Sequence, residues 1–243
     1  MHEKLSRLGA PVRIATFNIK HATRADDRVD HRALVRSCAA LNADVLGMQE
    51  VDRHRARTKF CDQAALVARR LGYEVVYGAV IHHGRFGQYG NALLARGPID
   101  QVDHFALPKP SRRQRRAAVI ARVSLPDRVL TVAVTHLQHH PTGLDESQRE
   151  APAQLRALLD RLVSRSTPLA VLGDFNLGAG RAGPPLLSAG FDVVPSLPTF
   201  PRDNPRTTLD YVAVQGMRVL AVEVVATDIS DHRAVVATLG DAV

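Results

Sequence analysis

The chain has 243 residues, 45% of them apolar, which suffices for a substantial core, and a single domain spanning 1–243 is expected. No run approaches the roughly 18 uninterrupted apolar residues of a bilayer span, and the opening "MHEKLSRLGAPVR" lacks the apolar stretch of a secretory signal, so a soluble, cytoplasmic, monomeric protein is expected. A formal charge of +8 and a pI of about 10.2 admit nucleic acid as a partner without requiring it, because nearly all the positive charge is Arg and the 5% aromatic content, with no Trp, leaves few platforms for stacking bases.

In chain order, the first apolar run is "VRIATF", followed by "DHRALVRSCAAL", where Ala33, Leu34, Cys38 and Leu41 share one helical face behind an Asp30 cap. "DVLGMQ" then reads as a strand, and "DQAALVARRLG" as a helix opened by Asp62 and closed by Gly72. The strand-like runs "YEVVYG", "NALLAR", "AAVIARV" and "VLTVAVT" follow, each bounded by turn-forming residues. A longer helix carries Leu155, Leu158, Leu159 and Leu162 on one stripe, "LAVLG" is a strand, and "GPPLLSAG" is expected to be a short helix started by its prolines. "LDYVAV", "VLAVEVVA" and "AVVATL" complete about ten strands, an α/β or α+β pattern. Stretches 78–90, 104–116, 138–147 and about 195–208 read as irregular and are candidates for the walls of a site. Cys38 and Cys61 lack metal-site spacing, and Cys38 within its helix reads as a small buried thiol.

Polar residues fall repeatedly where these runs end or begin. "IATFN" ends in Asn18, "VLGMQE" in Glu50, "TVAVTH" in His136, and "AVLGDFN" in Asp174 and Asn176. "QYGNALL" begins with Tyr89 and Asn91, "TLDYVAV" carries Asp210, and "SDHRAVV" carries Asp231 and His232. A single Asp or Asn after a strand commonly starts a turn, but so many at run ends suggest convergence on one mouth of a sheet structure. Glu50 is the least easily dismissed, because an unpaired carboxylate beside a buried strand is costly. Oxygen donors without thiolate match a hard divalent cation, Mg²⁺ or Mn²⁺. "HLQHH" places His136, His139 and His140 close in sequence, but neighbouring imidazoles point to different sides of an extended chain and no familiar zinc spacing accompanies them.

The blocks "ATFNIK", "DVLGMQEVD", "QYGNALL", "VAVTHLQ", "AVLGDFN", "TLDYVAV" and "SDHRAVV", in this order over residues 12–240, resemble the endonuclease/exonuclease/phosphatase superfamily of deoxyribonuclease-I-like phosphoesterases. The resemblance implies a four-layer α/β sandwich, two packed, mainly antiparallel sheets flanked by helices, with the site at one end. It also implies a Mg²⁺- or Mn²⁺-dependent hydrolase of phosphoesters, a phosphodiesterase rather than a monoesterase, acting on nucleic acid, a small molecule or a lipid headgroup.

By resemblance, Glu50 is the principal metal ligand, with Asn18 beside it and Asp231 contributing directly or through water. Asp174 addresses the attacking water and Asn176 a phosphate oxygen. Either Asp174 or His232 takes the water's proton, and Asp210 is the carboxylate that orients His232. His136 would donate a hydrogen bond to the phosphate or a proton to the leaving group. Tyr89 and Asn91 fit as phosphate-contacting and site-ordering groups, and Arg116, last of the "SRRQRR" run, faces the substrate. Lys20 stands where some nuclease members carry an acidic residue, which puts a second metal position in doubt, and His82 and His83 read as solvent-exposed. The alternative is a non-catalytic module on the same fold whose basic face holds a nucleic acid or another anionic partner.

Overall fold

The computed structural model describes residues 9–109, 114–139, 145–194 and 197–242, the side chains of 145–149 apart. Val12–Asn18 forms β1, His31–Leu41 α1, Val45–Arg53 β2, Gln63–Leu71 α2, Glu74–His83 β3, Gly87–Ala95 β4 and Ile99–Ala106 β5. Ala117–Leu125 forms β6, Arg128–His136 β7, Asp145–Leu162 α3, Leu169–Asp174 β8 and Ala179–Ser188 α4. Asp192–Val193 is β9, Asp210–Gln215 β10, Met217–Val225 β11 and Ala234–Asp241 β12.

These strands make two six-stranded sheets, in the orders β11-β12-β1-β2-β4-β3 and β5-β6-β7-β8-β10-β9. Each sheet has one parallel pair at its centre, β1 with β2 and β7 with β8, and is otherwise antiparallel. Between the sheets lies a core that includes Ile14, Val45, Leu93, Val132, Val134, Leu172, Val212 and Ala237. Gly47 lets the sheets approach there, since a Cβ on it would meet Val134 Cγ1 at 3.1 Å and Leu172 Cβ at 3.2 Å. On the outer face of the first sheet, Leu34, Cys38, Leu41 and Val67 of α1 and α2 pack against Leu46, Met48 and Leu94. On the outer face of the second, Leu155, Leu158, Leu162 and Leu186 of α3 and α4 pack against Ile120, Ala133 and Val171. The result is helix, sheet, sheet, helix: the expected four layers.

The helix ends follow local chemistry. Asp30 accepts a hydrogen bond from Ala33 N and Asp62 one from Ala65 N, and Gly72 ends α2 at φ 73°. Cys38 is buried as expected, and burial pushes its thiol up to about 12. Among the described residues no helix is long and apolar enough to cross a membrane.

Four expectations need correction. β5 was hidden in a stretch whose residues are mostly exposed or half-buried, so it has no unbroken apolar run, and β9 is only two residues long. Residues 78–90 are largely the β3–β4 hairpin, and β5 reaches into the start of 104–116. The stretch 138–147 ends inside α3. Finally, α4 begins at Ala179, so Pro184 and Pro185 lie within the helix and do not start it.

Candidate active site

The two central parallel pairs end at the same end of the sandwich. In the first sheet Asn18 lies beside Gln49, and in the second His136 lies beside Asp174. β10 runs antiparallel to β8 and opens with Asp210 opposite Asp174. β12 runs antiparallel to β1, so the segment carrying Asp231 and His232 enters at the end of β1. β4 starts beside the end of β2, and β6 starts where β7 ends, which brings Tyr89 and Arg116 to the same mouth. Alternate ends and starts of strands therefore supply one site.

Glu50 reaches that mouth through a β-bulge. Met48 pairs with Ala92 and Val51 with Gly90, leaving Gln49 and Glu50 opposite the single residue Asn91, with Glu50 at φ 58°. A bulge bends the strand and re-aims its side chains. Asn18 Nδ2 then bridges two carboxylates, donating to Glu50 Oε1 at 3.2 Å and to Asp174 Oδ2 at 3.0 Å. Gly173 has a similar positional role, because a Cβ there would overlap the Thr135 carbonyl of the parallel neighbour β7. Gly173→Ala is accordingly expected to destabilise the fold by about 1–3 kcal/mol through overpacking, read as a lowered Tm.

Around Asp174 the second sheet builds a buried network. His232 Nδ1 bonds Asp210 Oδ2 at 2.8 Å, and its Nε2 lies 3.7 Å from Asp174 Oδ2. His136 Nε2 approaches the same oxygen at 3.5 Å and accepts from Asn176 Nδ2 at 3.1 Å. Asn176 N in turn donates to Asp174 Oδ1 at 2.9 Å. Ser230 is more than a turn residue: its hydroxyl donates to Asn18 O at 2.6 Å and accepts from His232 N at 3.1 Å, tying β1 to the catalytic imidazole candidate.

The charges divide unequally across this network. Burial opposes a charge on His232, but Asp210 and Asp174 outweigh it and hold the imidazole pKa up at about 10. Burial raises Asp174 to about 7; His232 opposes that rise and Asp210 adds to it. His136 moves the other way, kept neutral by burial and by Arg116 and His232. Tyr89 keeps its proton, since burial first and Glu50 second push its ionisation up.

A cavity of about 620 Å³ brings together Glu50, Tyr89, Arg116, His136, Asp174, Asn176, Asp231 and His232. Asp210 and Asn18 stand behind it, bonded to His232 and to the two carboxylates. Arg116 is buried and hydrogen-bonded to Tyr89, and among the described residues its Nε has no hydrogen-bond partner. Asn91 is not a cavity residue; its amide donates to Ala117 O at 2.9 Å, joining β4 of one sheet to β6 of the other beside Arg116. With its amide so engaged, its place is behind the cavity wall, away from where a substrate contact was expected.

Of the three expected metal ligands, Asn18 is bonded to Glu50, and Glu50 and Asp231 line the same cavity. Asn18 Oδ1 accepts from Lys20 N at 3.1 Å, and Asp231 Oδ2 is paired with Lys20 Nζ at 3.0 Å. Glu50 remains the carboxylate of that trio with spare capacity, because neutral His21, lowered to about 4 by burial and Arg57, stands 4.0 Å from Oε2 without neutralising it. A closer group of donors is Asp174, Asp210 and His232, within 4.8 Å of one another, although the Asp210–His232 bond already occupies part of it. Carboxylate oxygens without thiolate at the Glu50 side of the cavity are donors of the kind a hard divalent cation takes.

Sequence patterns alone missed His21, Arg55 and Arg57, which also line this cavity, as do His139 and the exposed His83. The available signal for the arginines was Asp52, an acid inside a strand followed by three arginines at alternate positions, Arg53, Arg55 and Arg57. His139 Nδ1 lies 3.1 Å from Asn176 Oδ1, so His136 and His139 contact one amide with different atoms; His140 lies outside the described residues.

Comparison with known proteins agrees with this architecture. A curated relative, exodeoxyribonuclease III of Haemophilus influenzae, is 26% identical over 140 residues, covering 55% of this chain, and the chain spans only about half, 48%, of that protein's length. An endonuclease/exonuclease/phosphatase from Beutenbergia cavernae superimposes with a TM-score of 0.74 at 22% identity, over 96% of this chain and 72% of that one. The human nocturnin catalytic domain does so with a TM-score of 0.71 at 20% identity, over 96% and 94%. These likenesses establish the fold. The profile of the Endonuclease/Exonuclease/phosphatase family matches residues 15–232, nearly the whole sandwich, and the chain belongs to that family.

Proposed function

We propose that the chain hydrolyses phosphodiesters with the help of Mg²⁺ or Mn²⁺, using Asp174 to take the proton of the attacking water. The family is one of metal-dependent phosphoesterases, nucleases and phosphatases among them. The observation that carries the reading is the junction of the two sheets, where Asp174 meets Asn18, His136 and His232 in one cavity with Glu50. A cation held at Glu50 would neutralise charge on the phosphoryl oxygens. Asp174 is the base because His232, doubly faced by carboxylates, retains its own proton and serves as a cationic donor to a phosphate oxygen. Asn176 and Arg116 orient the same phosphate, and Asn18 aligns Glu50 with Asp174. Neutral His136 contributes a hydrogen bond and no charge.

A soluble monomer acting in the cytoplasm is consistent with this chemistry, and a relative named for DNA cleavage brings nucleic acid into the range of substrates. The test is hydrolysis of methyl 4-nitrophenyl phosphate by the purified chain with and without chelator. Activity should stop with chelator and return with Mg²⁺ or Mn²⁺, and Glu50→Gln should raise the cation concentration needed for half-activity. Turnover indifferent to both changes removes the reading.

A further inference from the structure

The cavity continues past the reaction centre to a wall that phosphoester chemistry at Asp174 does not use. Arg55, Arg57 and His83 line that end, and the same three residues line an adjoining cavity of about 370 Å³ that also carries Phe60, Arg85 and Phe86. Phe60 and Phe86 are 67% and 70% exposed, and the other Phe and Tyr side chains of the chain are buried or half-buried. Two of a small complement of aromatic rings are thus left in water beside the active-site mouth.

Their exposure is built into the backbone. Phe60 sits at φ 58°, a strained setting for a bulky side chain, following Lys59 at φ 53°. The loop is tied down by Phe60 N donating to Arg55 O at 2.8 Å and by His54 Nδ1, 3.1 Å from Phe60 O. Phe86 stands at the tip of the β3–β4 hairpin, with the Arg85 guanidinium 5.4 Å from its ring centroid.

The arginines are equally fixed. Buried Asp52 accepts from Arg57 Nε at 2.6 Å and Nη2 at 2.7 Å, and lies 3.5 Å from Arg55 Nη1. One carboxylate facing two guanidinium groups leaves a net positive wall, and the bidentate bond leaves Arg57 Nη1 for a ligand. Flat rings alternating with planar cations suit a chain of alternating bases and phosphates. A duplex keeps its bases stacked inside and would leave both rings uncovered. A lipid surface calls for a contiguous apolar patch, whereas this cavity mixes the two rings with three arginines.

We propose that this wall is a binding track for single-stranded nucleic acid, with a phosphate on Arg55 and Arg57 and bases against Phe60 and Phe86, beside the phosphodiester delivered to Asp174. The proposal rests on the phosphodiesterase reading for its geometry but is measured without turnover. The probes are fluorescein-labelled oligothymidylates of two and eight nucleotides, titrated by anisotropy into chain made inactive by Asp174→Asn. The second substitution is the pair Phe60→Gly and Phe86→Ala, glycine being chosen for the positive φ at position 60. Arg55→Ala is used in place of an Arg57 variant, which would strand the buried Asp52 carboxylate.

The paired variant is expected to bind the eight-nucleotide probe roughly 10- to 100-fold more weakly and to lose most of the gain that the parent shows over the two-nucleotide probe. Arg55→Ala should flatten the dependence of affinity on salt by about one phosphate contact. Circular dichroism melts establish that both variants are folded. Unchanged affinity and length dependence in the folded paired variant overturn the proposal. So does a variant that loses binding to phosphatidylcholine vesicles while keeping the oligonucleotide, an outcome that assigns the rings to a membrane. Metal-dependent hydrolysis of methyl 4-nitrophenyl phosphate by the unaltered chain reports on the catalytic reading separately, so failure of one is not mistaken for failure of the other.

Discussion

Asp174→Asn is expected to lower kcat on a phosphodiester by about 10²- to 10⁴-fold, the range for loss of a positioned general base, with little change in KM. The amide keeps the shape of the carboxylate and can still accept from Asn176 N, which now donates at 2.9 Å, although it gives up the bond accepted from Asn18 Nδ2. What it cannot do is take a proton from water. The buried carboxylate faces His232 and His136 on one oxygen and Asn18 on the same side, so no other carboxylate in the cavity is held so close to both sheets. Single-turnover kinetics at saturating Mg²⁺ check the result, and a variant within about threefold of the parent would transfer the base role elsewhere. Stability should fall modestly, because the amide nitrogen takes the place of the oxygen that accepts from Asn18 Nδ2 at 3.0 Å and faces His232 Nε2 at 3.7 Å.

Much of this site was legible because the central strands of a sandwich are buried on both faces. β1, β2, β7 and β8 therefore read as unbroken apolar runs, and a polar residue at the end of such a run stands out. Glu50, Asp174, His136 and Asp210 were visible in that way. β5 was not, since an edge strand with half its residues in water has no run to detect. The aim of Glu50 was also hidden, because the bulge is a property of the pairing between β2 and β4 and leaves no mark in "MQEV".

The face-to-face placement of the two sheets could not come from periodicity, which is the same for any half-buried strand. It came only with the order of seven polar blocks. Asn91 shows the remaining limit: its place in the sequence brings it near the site, yet its amide is bonded to a backbone carbonyl of the other sheet, which no sequence pattern announces. A 5% aromatic content leaves few rings in water, as the structure bears out, but composition could not say that the two exposed ones, Phe60 and Phe86, lie together beside the site.

Asp210→Asn should lower activity by roughly 10- to 100-fold, as removal of an orienting partner does, and should reshape the pH profile. In the parent, Asp174 must be ionised to act as base, so activity rises with pH through about 7; a bound cation would draw that limb lower. His232 must be protonated to hold the phosphate, so activity falls as pH passes about 10. Burial alone would lower the imidazole, and Asp210 is the larger of the two carboxylates that reverse it. With Asn at 210 the alkaline limb must therefore move toward lower pH, while the acid limb also shifts down, because Asp210 contributes to raising Asp174. A bell displaced as a whole to lower pH, measured as kcat/KM against pH at fixed Mg²⁺, is the signature of this coupling. A bell merely reduced in height would mean that Asp210 only orients the ring and that the charge on His232 has no part in turnover.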